Sequence, residues 1–344
     1  MRTAKKPMRV MFMCVTLATA ACGGSGIDAP GGPQDRGTLL LPNTSADFVS
    51  QDPIWTKDGA EIVFVDATGL KAVNVASGLV RVLDPTDNIE GAARARSGEW
   101  IYFAAPVPNA APGAPNIRLN RVHPATLGVE TVGLVSQGWS FNVVVSDDER
   151  WIAYGSVLFD TQTGVSRVLP DGIPGGFSPD GTRLMYWLSS KSSYAVISTA
   201  DGSSQPVMYD GLRTTFRWKD NSPQLLFVEP PTSPTSGIGT VVYERDGLTG
   251  AKRDIAQFDS NPYSFGAFLA GWSEDGQTLG VWLTSSSPRT ELAVIRAGAA
   301  TAIVLRFDGD AGKLVFSPTA TAVAYPYFPS LVSSDQSLYV KTGI

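Results

Sequence analysis

Residues 177–186 read FSPDGTRLMY: a short strand, a tight Asp-Gly turn, and a second strand of alternating apolar residues. The pattern recurs along nearly the whole chain. Further copies occupy 55–59 with 62–64, 94–98 with 101–103, 145–149 with 152–154, 218–222 with 225–227, 272–276 with 279–281, and 316–320 with 323–325. Aligned on Gly59, Gly98, Glu149, Gly181, Ser222, Gly276 and Ala320, the turns lie 39, 51, 32, 41, 54 and 44 residues apart. A period of this size, with strand signals throughout and no sustained helical period, predicts a propeller of four-stranded units and excludes helical solenoids.

The intervening segments supply the other strands. Third strands are expected at 72–75, 119–122, 157–159, 195–197, 241–243 and 292–295. Fourth strands are expected at 79–83, 129–132, 165–169, 205–208, 253–256 and 302–305, set off by turn residues such as Ala76-Ser77-Gly78. The seventh copy has a third strand at 338–340 and no fourth before Ile344, while the apolar run 37–42 (GTLLLP) has no partner before the first copy. Closing the ring with that N-terminal strand removes two open sheet edges at once. The expectation is an all-β, seven-bladed propeller of antiparallel blades over 37–344, the N-terminal strand completing the last blade.

Residues 53–64 (PIWTKDGAEIVF) and 176–186 (GFSPDGTRLMY) carry a resemblance to the TolB-type, WD40-like β-propeller repeat, whose copies approximate P-x-W-S-P-D-G-x-x-I-A-F. The resemblance covers 37–344. TolB proteins proper place an α/β domain before the propeller; this chain does not, so no role in the Tol–Pal system carries over.

The N-terminus has a different character. Arg2, Lys5, Lys6 and Arg9 precede an apolar stretch at 10–21, the layout of an export signal and too short for a permanent membrane span. Residues 19–24 (TAACGG) resemble the bacterial lipobox, with Thr19 where that signal usually has Leu. The resemblance implies a signal peptide at 1–21 and lipidation of Cys22, followed by a Gly/Pro-rich tether at 22–36. Cys14 and Cys22 are the only cysteines, so the body has no disulfide and no thiol chemistry. Gly23, in place of a retention Asp, points by the same analogy to the outer membrane, with the body facing the periplasm or the exterior.

Loss of the signal leaves 23 basic against 32 acidic residues, a net charge of −9. That surface disfavours nucleic acid. The repeated aromatic (Trp55, Phe177, Trp218, Trp272, Phe316) is expected to pack between neighbouring blades rather than to stack on sugars. His123, the only histidine, rules out a multi-histidine metal site and reads as a turn cap. Asp58, Asp180 and Asp275 read as turn formers, and Asp308-Gly309-Asp310 lacks calcium-loop spacing. No catalytic residue, metal or cofactor is expected.

The binding face is expected in the longer loops 106–115, 229–239, 284–289 and 325–334, with Tyr325, Tyr327 and Phe328 as the rim aromatics. The leading expectation is a non-catalytic, lipid-anchored envelope propeller that binds or scaffolds envelope proteins and touches the membrane only through its anchor. The alternatives are a binder of glycan or peptidoglycan fragments and a propeller-type lyase or hydrolase.

Overall fold

The triplets that follow the repeat turns are apolar at consecutive positions, which suits strands covered on both faces. They become the second strands of successive sheets: Ile62, Val63, Ile101, Tyr102, Ile152, Ala153, Leu184 and Tyr186 are all at most 1% exposed. A computed structural model describes residues 35–44, 52–136, 142–207, 216–218, 225–229, 240–258, 263–264, 271–285, 289–296, 299, 302–329 and 336–344. The chain divides into two units, Met1–Pro33 and Gln34–Ile344, and every described residue belongs to the second. The signal peptide, Cys22 and most of the tether lie outside the described residues.

Seven antiparallel sheets are present among those residues. Sheet one is Ile54–Trp55, Glu61–Asp66, Gly69–Asn74 and Val80–Asp84; sheet two is Gly91–Arg94, Ile101–Pro106, Ile117–Val122 and Val129–Val135. Sheet three is Val143–Val145, Trp151–Tyr154, Val157–Asp160 and Val165–Val168; sheet four is Gly172–Phe177, Arg183–Leu188, Ser193–Ser198 and Ser204–Pro206. Sheet five is Phe216–Trp218, Leu225–Glu229, Thr240–Asp246 and Lys252–Phe258. Sheet six is Thr278–Ser285, Arg289–Arg296 and Ala302–Asp308, with a first strand in two pieces, Tyr263–Ser264 and Gly271–Trp272. Sheet seven is built likewise from Asp310–Ala311 and Val315–Phe316, then Ala322–Phe328 and Gln336–Thr342, and its outer strand is Thr38–Thr44. No α-helix occurs among the described residues; Ser189–Lys191 is a single 3-10 turn.

The hydrophobic core is divided among the seams. Seven buried clusters occur, and each is shared by two sheets consecutive in the chain or, in one case, by the last and the first. That one joins Trp55, Ile62 and Phe64 of sheet one to Ala324, Leu338 and Val340 of sheet seven and Leu40 of its outer strand. Each fully buried Leu, Ile, Val or Phe contributes about 1.5–3 kcal/mol relative to exposure. The repeated tryptophan adds a directional contact: Trp218 Nε1 donates to Gly176 O across the seam of sheets four and five at 3.1 Å, and Trp55 Nε1 donates to Val315 O of sheet seven at 3.0 Å.

Two expectations need correction. Asp35 and Arg36, read as tether, are held by the body. Asp35 bridges Arg306 through the backbone and pairs with Lys341 at 2.6 Å, and Arg36 O accepts a bond from Tyr325 at 2.6 Å. Tyr325, Tyr327 and Phe328 are not loop residues, because the second strand of sheet seven runs on to Phe328. The prolines of YPYFP suggested a loop, since proline cannot donate to a ladder. Pro326, however, faces the break in the first strand: Val315 pairs with Ala324 and Ala311 with Tyr327, so the missing N–H falls in the gap between the two pieces.

Register differs among the outer strands. Those of sheets one, two, five, six and seven each carry a register shift, and that of sheet four is three residues long and ends in Pro206. Val165–Val168 of sheet three pairs with Val157–Asp160 without interruption.

Candidate functional site

The repeat turns are built from one set of hydrogen bonds. In four copies a buried hydroxyl from Thr56, Ser146, Ser178 or Ser273 donates to Asp58, Asp148, Asp180 or Asp275 at 2.5–2.6 Å. Each hydroxyl also accepts a backbone N–H five residues on, and each carboxylate accepts the N–H two residues on. The Thr56 hydroxyl and the Ala60 N–H hold the Asp58 carboxyl below its ordinary range. For Asp180 and Asp275, desolvation pulls upward, and the bonds from Ser178 and Ser273 with their backbone partners outweigh it. These aspartates are turn formers, as expected of Asp in such positions.

The second copy, Arg94-Ala95-Arg96-Ser97-Gly98, has Ala95 in place of the hydroxyl and Ser97 in place of the carboxylate. Arg94 stands in for the missing pair. Its guanidinium, 4% exposed, donates to Ala95 O, Arg96 O and Gly98 O in its own turn and to Trp55 O in the preceding one. It also pairs with Glu274 in the turn of sheet six. Arg96 N–H donates to Asp147 Oδ1 of sheet three at 3.3 Å. Burial pushes the Asp147 and Glu274 carboxyls up against the pull of Arg94 and Arg96. The turns of sheets two, three and six thus share one partly desolvated charge cluster. The sequence signal for it was the loss of Ser and Asp from the second copy, which left that turn needing another donor.

The outer strands present a second kind of surface. Leu79, Val80 and Val82 of sheet one are 73%, 47% and 47% exposed, and Val129 and Leu134 of sheet two are also exposed. In sheet three the exposure of Val165 is 62% and of Val168 84%. Beside Val165 opens a cleft of about 750 Å³ between the turns of sheets three and four, lined among others by Asp148, Arg150, Arg167, Asp180 and Thr199. Arg150 pairs with Asp160 at 3.0 Å and lies over the Trp151 ring at 4.8 Å. Arg167 donates to Thr199 O and Ala200 O of sheet four. Neither surface was expected from sequence, because an apolar fourth strand reads equally well as a covered one.

Of the predicted site residues, Tyr325 and Tyr327 come together, but on the rings of buried Phe307 and partly buried Tyr339. Cys22 lies outside the described residues. Tyr325 is fully buried, stacked between Phe307 and Tyr339 at 5.7 and 5.9 Å, and burial pushes its hydroxyl well above the usual tyrosine range. Tyr327 is 9% exposed, with the Arg36 guanidinium over its ring and its hydroxyl donating to Asp308 O; Phe328 is partly buried beside it. Neither tyrosine is exposed, and Phe328 is only partly so. His123 Nδ1 accepts the Ala125 N–H at 3.2 Å, so Nε2 carries the proton and donates to Glu99 at 3.2 Å. This is the capping role expected of it, and Trp100 meets its ring edge-on at 5.2 Å. Of the long loops, 106–115 is described, exposed and braced by its own backbone bonds, whereas most of 229–239, the centre of 284–289 and the end of 325–334 lie outside the described residues.

No family profile matches the chain, and no curated protein matches it in sequence. Solved structures do match it in shape. It is similar to an oligogalacturonate lyase from Vibrio parahaemolyticus (TM-score 0.61, 11% identity, 88% of this chain and 92% of that one). It is also similar to the β-propeller domain of a Myceliophteria thermophila protein (TM-score 0.57, 12% identity, 89% and 99%). A third likeness is to hydrazine synthase from Kuenenia stuttgartiensis (TM-score 0.52, 12% identity, 93% and 100%). At such identities the likeness shows the fold alone: the chain is an all-β protein of the propeller type. The sheets are therefore called blades below.

Proposed function

We propose that the chain is a lipid-anchored, non-catalytic protein-binding module of the bacterial cell envelope. On this reading it is a ring of seven blades closed by Thr38–Thr44. The closure is supported by the Trp55–Val315 bond, which repeats across the first and last blades the contact that Trp218 makes between blades four and five. Cys22 is the anchored residue, and the outer membrane is the membrane implied by Gly23.

The observation that carries the binding role is the exposed apolar surface on the outer strands of three consecutive blades, at Leu79, Val82, Val129, Leu134, Val165 and Val168. Large apolar side chains left exposed on an acidic surface, in three consecutive blades, point to an interaction site. The test is cross-linking capture from envelope extracts with the full chain, against a variant carrying Leu79→Ser, Val82→Ser, Val129→Ser and Val168→Ser. A protein partner lost in the variant supports the reading; capture unchanged by all four substitutions refutes it. Globomycin treatment followed by mass measurement of the N-terminus tests the anchor, and an unlipidated mature chain would refute it.

A glycan-binding reading has one observation in its favour, the partly buried Trp100. Its face is already occupied by Arg121 at 4.3 Å, however, and its ring is met by His123. Recovery of bound sugar in place of protein in the same capture would favour it.

A further inference from the structure

The protein-binding reading leaves open where a partner docks, and the outer strands are not equivalent in this respect. An unprotected edge strand is a template for another chain, and proteins blunt such edges with bulges, proline or extreme shortness. Six of the seven outer strands carry one of these devices. Val165–Val168 carries none: its register is unbroken, it contains no proline, and Val168 is the most exposed of the large apolar side chains among the described residues.

The ladder fixes which backbone groups are free. Leu169 N–H donates inward to Ser156 O at 2.7 Å. By the alternation of an antiparallel pair, Val165 and Arg167 also face inward, and the N–H and C=O groups of Ser166 and Val168 point outward. Side chains alternate across the sheet in turn. Arg167 reaches carbonyls of blade four, so the face it shares with Val165 looks onto the cleft between blades three and four. A strand added to this edge would aim every second side chain into that cleft.

The cleft's charge selects the side chain. Asp160 is neutralised by Arg150. Asp148 and Asp180 are exposed and form no ion pair among the described residues, although Arg183 lies close enough to Asp180 to favour its ionised form. The two carboxylates belong to adjoining turns: a Cβ on Gly181 would stand 3.4 Å from Asp148 Oδ1. Arg167 is committed to the Thr199 and Ala200 carbonyls.

We propose that Val165–Val168 is a docking edge for an extended segment of a partner protein, which pairs with Ser166 and Val168 and places a lysine or arginine between Asp148 and Asp180. Main-chain bonds give such docking its affinity and alternate side chains its specificity. The proposal rests on the protein-binding reading and adds the site and the partner's chemistry to it.

The test uses the purified full chain and the capped peptide acetyl-Thr-Val-Lys-Val-Thr-amide, with the Lys replaced by Glu as control. Binding should slow hydrogen exchange at the Ser166 and Val168 amides, and the Glu peptide should bind at least about tenfold more weakly. Ser166→Pro removes an outward N–H without touching the internal ladder, and should abolish binding while leaving the thermal midpoint in place. Asp148→Asn with Asp180→Asn keeps the turn acceptors and should bring the two peptides to equal affinity. Should Ser166→Pro unfold the chain, exchange at the two amides in the unmodified protein decides instead.

Equal affinity for both peptides in the unmodified chain, or unchanged binding in Ser166→Pro, overturns the proposal. Self-association that Ser166→Pro abolishes, with no peptide protection, assigns the edge to a second copy and overturns it too. Envelope capture that survives Ser166→Pro removes this site and leaves the binding-module reading standing, whereas absence of any captured protein with the unmodified chain removes the reading itself.

Discussion

The repeat turns and the outer strands both recur from blade to blade, but they solve their problems differently. The turns repeat one set of hydrogen bonds, hydroxyl to carboxylate and carboxylate to backbone, in four copies. The outer strands share only their place in the sheet; one is bulged, another cut short by proline, a third left open. A position that must mate with the same neighbour in every blade is held to one chemistry. A position facing solvent is free to diverge, so departures from the repeat there carry the information about function.

The comparison is tested most strongly at the seams. Trp55→Ala should lower stability by roughly 3–5 kcal/mol, since it empties a buried aromatic site and leaves Val315 O without its donor. Trp272 occupies the same repeat position in blade six, but its Nε1 is buried without an acceptor among the described residues and its ring is only partly covered. Trp272→Ala should therefore cost distinctly less. Urea midpoints at unchanged slope measure both; equal losses would show that the shared bond contributes nothing to the seam.

Arg94→Met comes next, at about 2–3 kcal/mol, because four carbonyls and the half-buried Glu274 carboxylate lose one donor together. It also changes the pH profile. Glu274 and Asp147 have folded pKa values raised by burial, so the folded state holds their protons more tightly than the unfolded one. That contribution is present at low pH and is lost as pH rises from the ordinary carboxylate range through the raised values. Without Arg94 the raised values climb further, and the variant's deficit should widen between about pH 4 and neutrality. A deficit independent of pH would mean that Arg94 acts on its own turn and not on the cluster.

Asp180→Ala should cost about 1 kcal/mol for the hydrogen bonds of one exposed turn. Asp58, Asp180 and Asp275 carry lowered pKa values, so their contribution is complete above the unfolded carboxylate value and disappears as pH falls through the folded ones. The difference between Asp180→Ala and the unmodified chain should accordingly vanish in strong acid.

The fold was legible because its signals are local. Each Ser/Thr-x-Asp-Gly turn followed by an apolar triplet names a hairpin, and six of the seven expected turns lie at hairpins, while most of the fifth (219–222) lies outside the described residues. The proposed binding surface was not legible, for two physical reasons. Tyr325, Tyr327 and Phe328 looked like loop aromatics because Pro326 interrupts them, and only the split first strand of blade seven, contributed by other residues, explains how a proline sits there. The exposure of Val165 and Val168 could not be read from their strand, because it depends on whether a further strand follows, which the residues themselves do not specify.

The smallest effect probes the turns that depart from glycine. Gly59, Gly181 and Gly276 take a left-handed φ of 69°, 67° and 66°, and Ala320 takes 54° at the same place in blade seven. A left-handed alanine costs about 1 kcal/mol or more, whereas glycine there costs little and gives back part of the gain as unfolded-chain entropy. Ala320→Gly should then stabilise the chain by a few tenths of a kcal/mol up to about 1. Glu149, at 57° in blade three, is the control. Its carboxylate accepts the Tyr102 hydroxyl at 2.8 Å, so Glu149→Gly relieves the same strain while losing that bond, and the two changes offset. A rise in melting temperature for Ala320→Gly and none for Glu149→Gly would show that blade three keeps a strained residue for its contact to blade two. A rise in both would reduce that contact to an accident of the turn.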